Sequence, residues 1–221
     1  MPFPALCAPT RQKGRDAALF VRTCCRISFA ERPLADPHCA LLPSTMPFAY
    51  YSKLSAARQR IYRQSDAIET LALPGGLAAG TLVARIRASL AREDRAAVQT
   101  ACKDLIDALV AGYRVPPIRV RVLAKRPADD TGELHGLYEP DDAGKPARIT
   151  VWMRTAARRD VVAFKTFLRT LNHELCHHLD YELYKMPETF HTEGFYKRES
   201  SLVNELLREE GAAADLQRTL L

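Results

Sequence analysis

The chain has 221 residues, 47% of them apolar, with 32 Lys and Arg against 26 Asp and Glu for a formal net charge of +6. That apolar content suffices for one core, and no stretch approaches the ~20 apolar residues of a transmembrane helix. Internal repeats, heptads and a phosphate-cradling glycine loop are absent, which excludes solenoids and the usual nucleotide-dependent activities.

Residues 1–45 differ in character from the rest. They hold Cys7, Cys24, Cys25 and Cys39 among several prolines, with no sustained periodicity and no C-x-x-C. A disordered amino-terminal extension is expected here. Its six basic and three acidic residues carry +3, so residues 46–221, with 26 basic and 23 acidic, carry only the other +3. The globular part is mildly basic, and nucleic acid is therefore a weakly supported partner. Ala17 to Val21 is too short an apolar run for a secretory signal, and a cytoplasmic protein is expected.

From Met46 the composition becomes globular, and residues 46–221 are expected to form one domain, a helical lead-in over 46–93 and a core over 94–210. Tyr50 to Ala67 reads as a helix, with Leu54, Ile61 and Ile68 at near-helical spacing, before the flexible Leu73-Pro74-Gly75-Gly76. Asp94 to Tyr113 is an amphipathic helix whose stripe is Val98, Cys102, Leu105, Ile106, Leu109 and Val110. Pro116-Pro117 ends it, and Ile118, Val120 and Val122 then alternate with Arg119 and Arg121 as a strand. Leu134–Tyr138 and Ile149–Met153 are two further strands, the second with Thr150, Trp152 and Arg154 facing away from the core.

The next helix carries the chemistry. His173-Glu174-Leu175-Cys176-His177 is an H-E-x-x-H pattern. Residues four apart differ by about 40° around a helix, so the two imidazoles can reach one metal, with Glu174 on the flank of that face. Two neutral imidazoles suit Zn²⁺, and the carboxylate is placed to take a proton from an attacking water. Such a pattern arises by chance in roughly one chain in a hundred of this composition, so its setting matters. Phe164, Leu168, Leu171, Leu175 and Leu179 fall on the opposite side, giving the helix an apolar face and a metal face. Asp160 is the expected N-cap and Pro187 the stop.

A catalytic zinc needs a third protein ligand. His191, beyond the Pro187 break, is the best placed, and Glu193, Glu199 and Glu205 compete with it. Glu199 to Arg208 reads as a following helix with Leu202, Leu206 and Val203 inward.

The pattern His173-Glu174-x-x-His177, the gap to His191 and the aromatic Phe195 four residues later resemble the SprT-like zinc metallopeptidases, over about Pro117 to Leu207. Two departures are visible: Thr192 follows the third histidine where glycine is common, and no cysteine follows Cys176. The resemblance implies an α+β zincin-type domain, a short mixed sheet packed on the active-site helix. It implies His173, His177 and His191 as ligands of one Zn²⁺, Glu174 as the catalytic acid/base, and a protein or peptide as substrate. It also implies that the strand before the metal helix borders the cleft. A non-catalytic zinc protein or a DNA-associated protein of this fold is the alternative; Glu174 weighs against the first, since a structural site needs no base.

Around the motif, Tyr181, Tyr184, Tyr196 and Arg198 are all open as a second oxyanion donor. His178 projects about 140° from His173 and reads as a buried, hydrogen-bonded histidine, and Cys176 as a small buried hydrophobe. Asp180 is expected either to support a ligand or to face solvent, and His135 to end a strand.

Overall fold

The computed structural model describes residues 23–25, 48–130, 132–142 and 144–219. Apart from 23–25, the expected disordered extension lies outside these residues.

Thr23–Cys25 is a short strand, β1. Residues Tyr51–Lys53 form a 3₁₀ turn leading into α1, Ala56–Asp66, whose first turn is capped by the Ser55 side chain accepting from the Arg58 N–H. Helix α2 spans Ala79–Ala91 and α3 Arg95–Tyr113. Asp94 caps α3 through its carboxylate on the Ala97 N–H, and Arg114, at φ 58°, ends it in the left-handed region. The stripe read from the sequence is the buried stripe, from Val98 to Val110.

The strands are β2 Arg119–Lys125, β3 Ala128–Asp129, β4 Gly132–Glu133, β5 Gly136–Glu139 and β6 Arg148–Arg154. They make a mixed four-stranded sheet in the order β1-β5-β6-β2, in which β6 is parallel to β2 and antiparallel to β5, and a separate β3–β4 pair. Thr150 and Trp152 are buried, not turned to solvent, because both faces of β6 are covered; its Ile-Thr-Val-Trp-Met run is nearly continuous apolar for that reason.

Helix α4 runs Phe164–Glu182 and α5 Glu193–Thr219. Asp160 does not cap α4; the cap position is Ala163, with no side-chain bond. Leu168, Leu171, Leu175 and Leu179 are fully buried, each contributing about 1.5–3 kcal/mol of burial. Helix α4 packs on β5, β6 and α5, while α3 covers β2, and α5 also meets α1 and α2. The chain is thus α+β, five α-helices among the described residues around a small mixed sheet. None of those helices is long and apolar enough to cross a membrane.

Candidate metal centre

Helical phase brings His173 and His177 together on the α5 side of α4, and the turn after α4 returns His191 over them. The three Nε2 atoms form a triangle with sides of 3.0 Å (His173–His191), 3.1 Å (His177–His191) and 3.2 Å (His173–His177). Tetrahedral ligands about 2.0–2.1 Å from zinc stand roughly 3.3 Å apart, so the triangle has the size such an ion requires. The three are the one cluster of potential metal-binding groups among the described residues.

The opposite ring nitrogens explain why the Nε2 atoms face inward. His173 Nδ1 donates to Glu199 Oε2 at 2.8 Å, and Glu199 Oε1 also accepts from Arg169 at 2.8 Å. His177 Nδ1 is 2.8 Å from Thr189 Oγ1, whose hydroxyl donates to Asp180 Oδ2 at 2.6 Å. With the Thr189 proton committed to Asp180, His177 must be the donor to Thr189. Both rings therefore carry their proton on Nδ1, and their Nε2 lone pairs point at one another. Burial and the neighbouring His173 push His177 well below the usual histidine range, and His191 down to about 3. Neutral imidazoles with convergent lone pairs repel each other, and a cation between them reverses that repulsion.

Glu174 is wholly buried, and neither carboxylate oxygen completes a hydrogen bond among the described residues. The Tyr138 N–H favours its charged form, but burial first and Glu199 second push the carboxyl well above its ordinary range. Its space is made by Gly136, where a Cβ would lie 2.2 Å from Glu174 Oε1. Gly136 is a site residue that sequence reasoning overlooked; a glycine opening an apolar strand was the available signal, since it marks a close approach.

The rival third ligands lie elsewhere. Glu199 is on the far side of His173, where it orients the ring. Glu205 accepts from the Leu73 N–H at 2.7 Å, and Glu193 pairs with Lys197 at the start of α5. Thr192, the departure from the family pattern, caps α5 by accepting from the Phe195 N–H at 2.9 Å. Phe195 itself packs against the rings of both His173 and His177, with centroids 4.9 and 4.7 Å away.

Among the residues left open as oxyanion donors, Arg198 is fully buried and bonded to Asp180 and to the end of α1. Tyr184 lies by Arg198, and Tyr181 stacks on Tyr138. Tyr196 adjoins the centre and is also exposed: its ring stacks at 17° on His191, 5.9 Å away, and 39% of its surface meets solvent. His178 is buried, with Nε2 2.9 Å from the Pro116 carbonyl and Nδ1 3.3 Å from the Tyr138 hydroxyl, and it takes no part in the cluster. Cys176 is a buried free thiol. Asp180 is buried and supports His177 through Thr189. His135 precedes β5, and burial with the nearby Arg126 lowers it to about 4.

The strand before α4, expected to border the cleft, is not an edge of the sheet. β6 is paired on both sides, to β5 and to β2, so it has no free ladder for an extended peptide. The strand beside Glu174 is β5, whose other neighbour is β1.

Compared with protein families, curated proteins and solved structures, the chain matches none.

Proposed function

We propose that the chain is a zinc-dependent metallopeptidase of SprT-like, zincin-type architecture, hydrolysing peptide bonds in a protein or peptide substrate. The observation that carries this reading is the convergence of three histidine Nε2 atoms on one point, beside a buried carboxylate whose oxygens complete no hydrogen bond among the described residues.

His173, His177 and His191 would hold the ion, and the hydrogen-bonded Nδ1 atoms of His173 and His177 fix in those two rings the tautomer it needs. Bound there, zinc supplies a Lewis acid that lowers the pKa of a water and polarises a carbonyl. Glu174 takes the proton from the attacking water and returns it to the leaving amine. A carboxyl whose pKa is raised by burial is a stronger base toward the water than an exposed one, which suits it to take up the proton. A cation held by the three imidazoles would oppose the upward shift and favour the carboxylate form of Glu174. Tyr196, adjoining His191 at the exposed side, is our choice for the second oxyanion donor.

The test is cleavage of an unfolded protein by wild type, Glu174→Gln and Tyr196→Phe, with zinc content measured in parallel. Glu174→Gln is expected to keep its zinc and lose cleavage, and Tyr196→Phe to keep zinc and lose about 10²–10³ in kcat. A wild-type protein that holds zinc and cleaves nothing, or a Glu174→Gln protein that still cleaves, sinks the peptidase reading and favours the non-catalytic or DNA-associated alternative.

A further inference from the structure

We propose that Arg198 is a positioning residue that couples metal binding by His177 to the docking of the carboxy-terminal end of α1. This rests on the metal-binding part of the function proposed above and is independent of whether the centre cleaves peptides.

Arg198 is completely shielded from solvent and is the largest such side chain among the described residues. A guanidinium is costly to bury unless its donors are used; here Nη1 and Nη2 are bonded and Nε has no partner among the described residues, so the partners of the two Nη atoms disclose its role. One set is the end of α1: Nη1 donates to the Ser65 carbonyl at 2.8 Å and the Ile68 carbonyl at 3.2 Å, and Nη2 to Ser65 Oγ at 3.0 Å. Both carbonyls lie at or just beyond the last turn of α1, where backbone pairing thins out; the Ser65 carbonyl also accepts from the Ile68 N–H at 3.3 Å. The other partner is Asp180 on α4, where Nη2 donates to Oδ1 at 2.7 Å. From Asp180 the path continues through Thr189 to His177 Nδ1. Four hydrogen bonds in series thus run from the last turn of α1 to the ring whose opposite nitrogen faces the metal position.

The third ligand is tied to the same segment by separate contacts. The Tyr50 hydroxyl donates to the His191 carbonyl at 3.0 Å. The Gly194 N–H donates to Asp66 Oδ1 at 2.9 Å, and a Cβ at Gly194 would stand 2.1 Å from the Asp66 carbonyl oxygen. Only glycine allows α1 to approach this closely, three residues after His191. His177 and His191 are both referenced to residues 50–68, whereas His173 is held by Glu199 within α5.

A plain structural ion pair between α4 and α5 would stabilise the fold without caring whether metal is bound. Coupling makes a different demand, because it is reciprocal: if docked α1 favours metal, bound metal must favour docked α1. The experiment measures zinc affinity in wild type, Arg198→Met and Arg198→Lys, together with amide hydrogen exchange with and without zinc. In wild type, removing zinc is expected to speed exchange at the end of α1, while α3 is unaffected. Arg198→Met is expected to weaken zinc binding by about 10–100-fold, the usual effect of losing an outer hydrogen-bonding partner, and to abolish the zinc dependence of α1 exchange. Arg198→Lys, which retains a charge for Asp180, recovers part of the affinity. Zinc binding by wild type with α1 exchange unchanged overturns the coupling even if no variant folds, as does wild-type affinity in Arg198→Met. A wild type that binds no zinc overturns the underlying reading as well.

Discussion

The two sides of the histidine cluster differ in how completely they are satisfied. On the Nδ1 side, Glu199, Thr189, Asp180 and Arg198 form a buried network that fixes the His173 and His177 rings. On the Nε2 side, three ring nitrogens face one another, and the Glu174 oxygens complete no hydrogen bond among the described residues. Native interiors pair nearly all their buried polar atoms; behind His173 and His177 the pairing is nearly complete, with the Arg198 Nε left over, and on the Nε2 side it is missing. On the proposed function, the first side is scaffolding and the second is where the chemistry would take place.

The sharpest way to break this contrast is to remove a nitrogen from the unsatisfied side. His191→Ala leaves two convergent imidazoles and should lose zinc far beyond the ~10–100-fold expected when only an orienting partner is lost, as read by competition with a coloured chelator. Zinc affinity unchanged by His191→Ala would show that the third ligand lies elsewhere.

Gly136→Ala acts on the carboxylate alone. The added methyl meets Glu174 Oε1 at 2.2 Å and its Cδ at 2.8 Å, so the side chain must move, at a cost of about 1–3 kcal/mol in a packed interior. Cleavage should fall severely while zinc content holds, and the unfolding midpoint should drop. A Gly136→Ala protein with full activity would mean that the position of Glu174 is not what the reaction depends on.

The smallest effect concerns pH in the absence of metal. Burial holds His135 down to about 4 and His191 down to about 3, against 6.5 for an ordinary histidine. Between those values the unfolded chain binds protons that the folded chain refuses, so these groups remove stability as pH falls through that window and leave it intact above it. Thermal unfolding of chelator-treated protein should show a midpoint falling from about pH 6.5 downwards, less steeply in His135→Gln. Identical slopes in the two proteins would remove His135 from the account.

The unsatisfied side was largely legible in the sequence, and the satisfied side largely was not. His173, Glu174 and His177 lie within one turn and a half of helix, so local periodicity places them, and the apolar stripe from Leu168 to Leu179 confirms the phase. Thr189 and Arg198 serve His177 from outside its helix, and Arg198 reaches back 133 residues to Ser65, a contact that no local pattern carries. One trace was present: Arg198 and Glu199 share the phase of Phe195, Leu202 and Leu206, so two charges stood on the apolar stripe of α5. Read that way, Glu199 is an inward partner instead of a rival ligand. Helix α2 was folded into a general helical lead-in, and the two-residue strands β3 and β4 are too short to show any alternation.

The most direct test of the central claim is X-ray absorption at the zinc edge on protein purified without added metal, combined with metal analysis. One zinc per chain, with a first shell of nitrogen and oxygen at about 2.0–2.1 Å and the multiple scattering of three imidazoles, is the predicted result. A metal-free protein, or a first shell containing sulfur at about 2.3 Å, would contradict the assignment of His173, His177 and His191 as the ligand set.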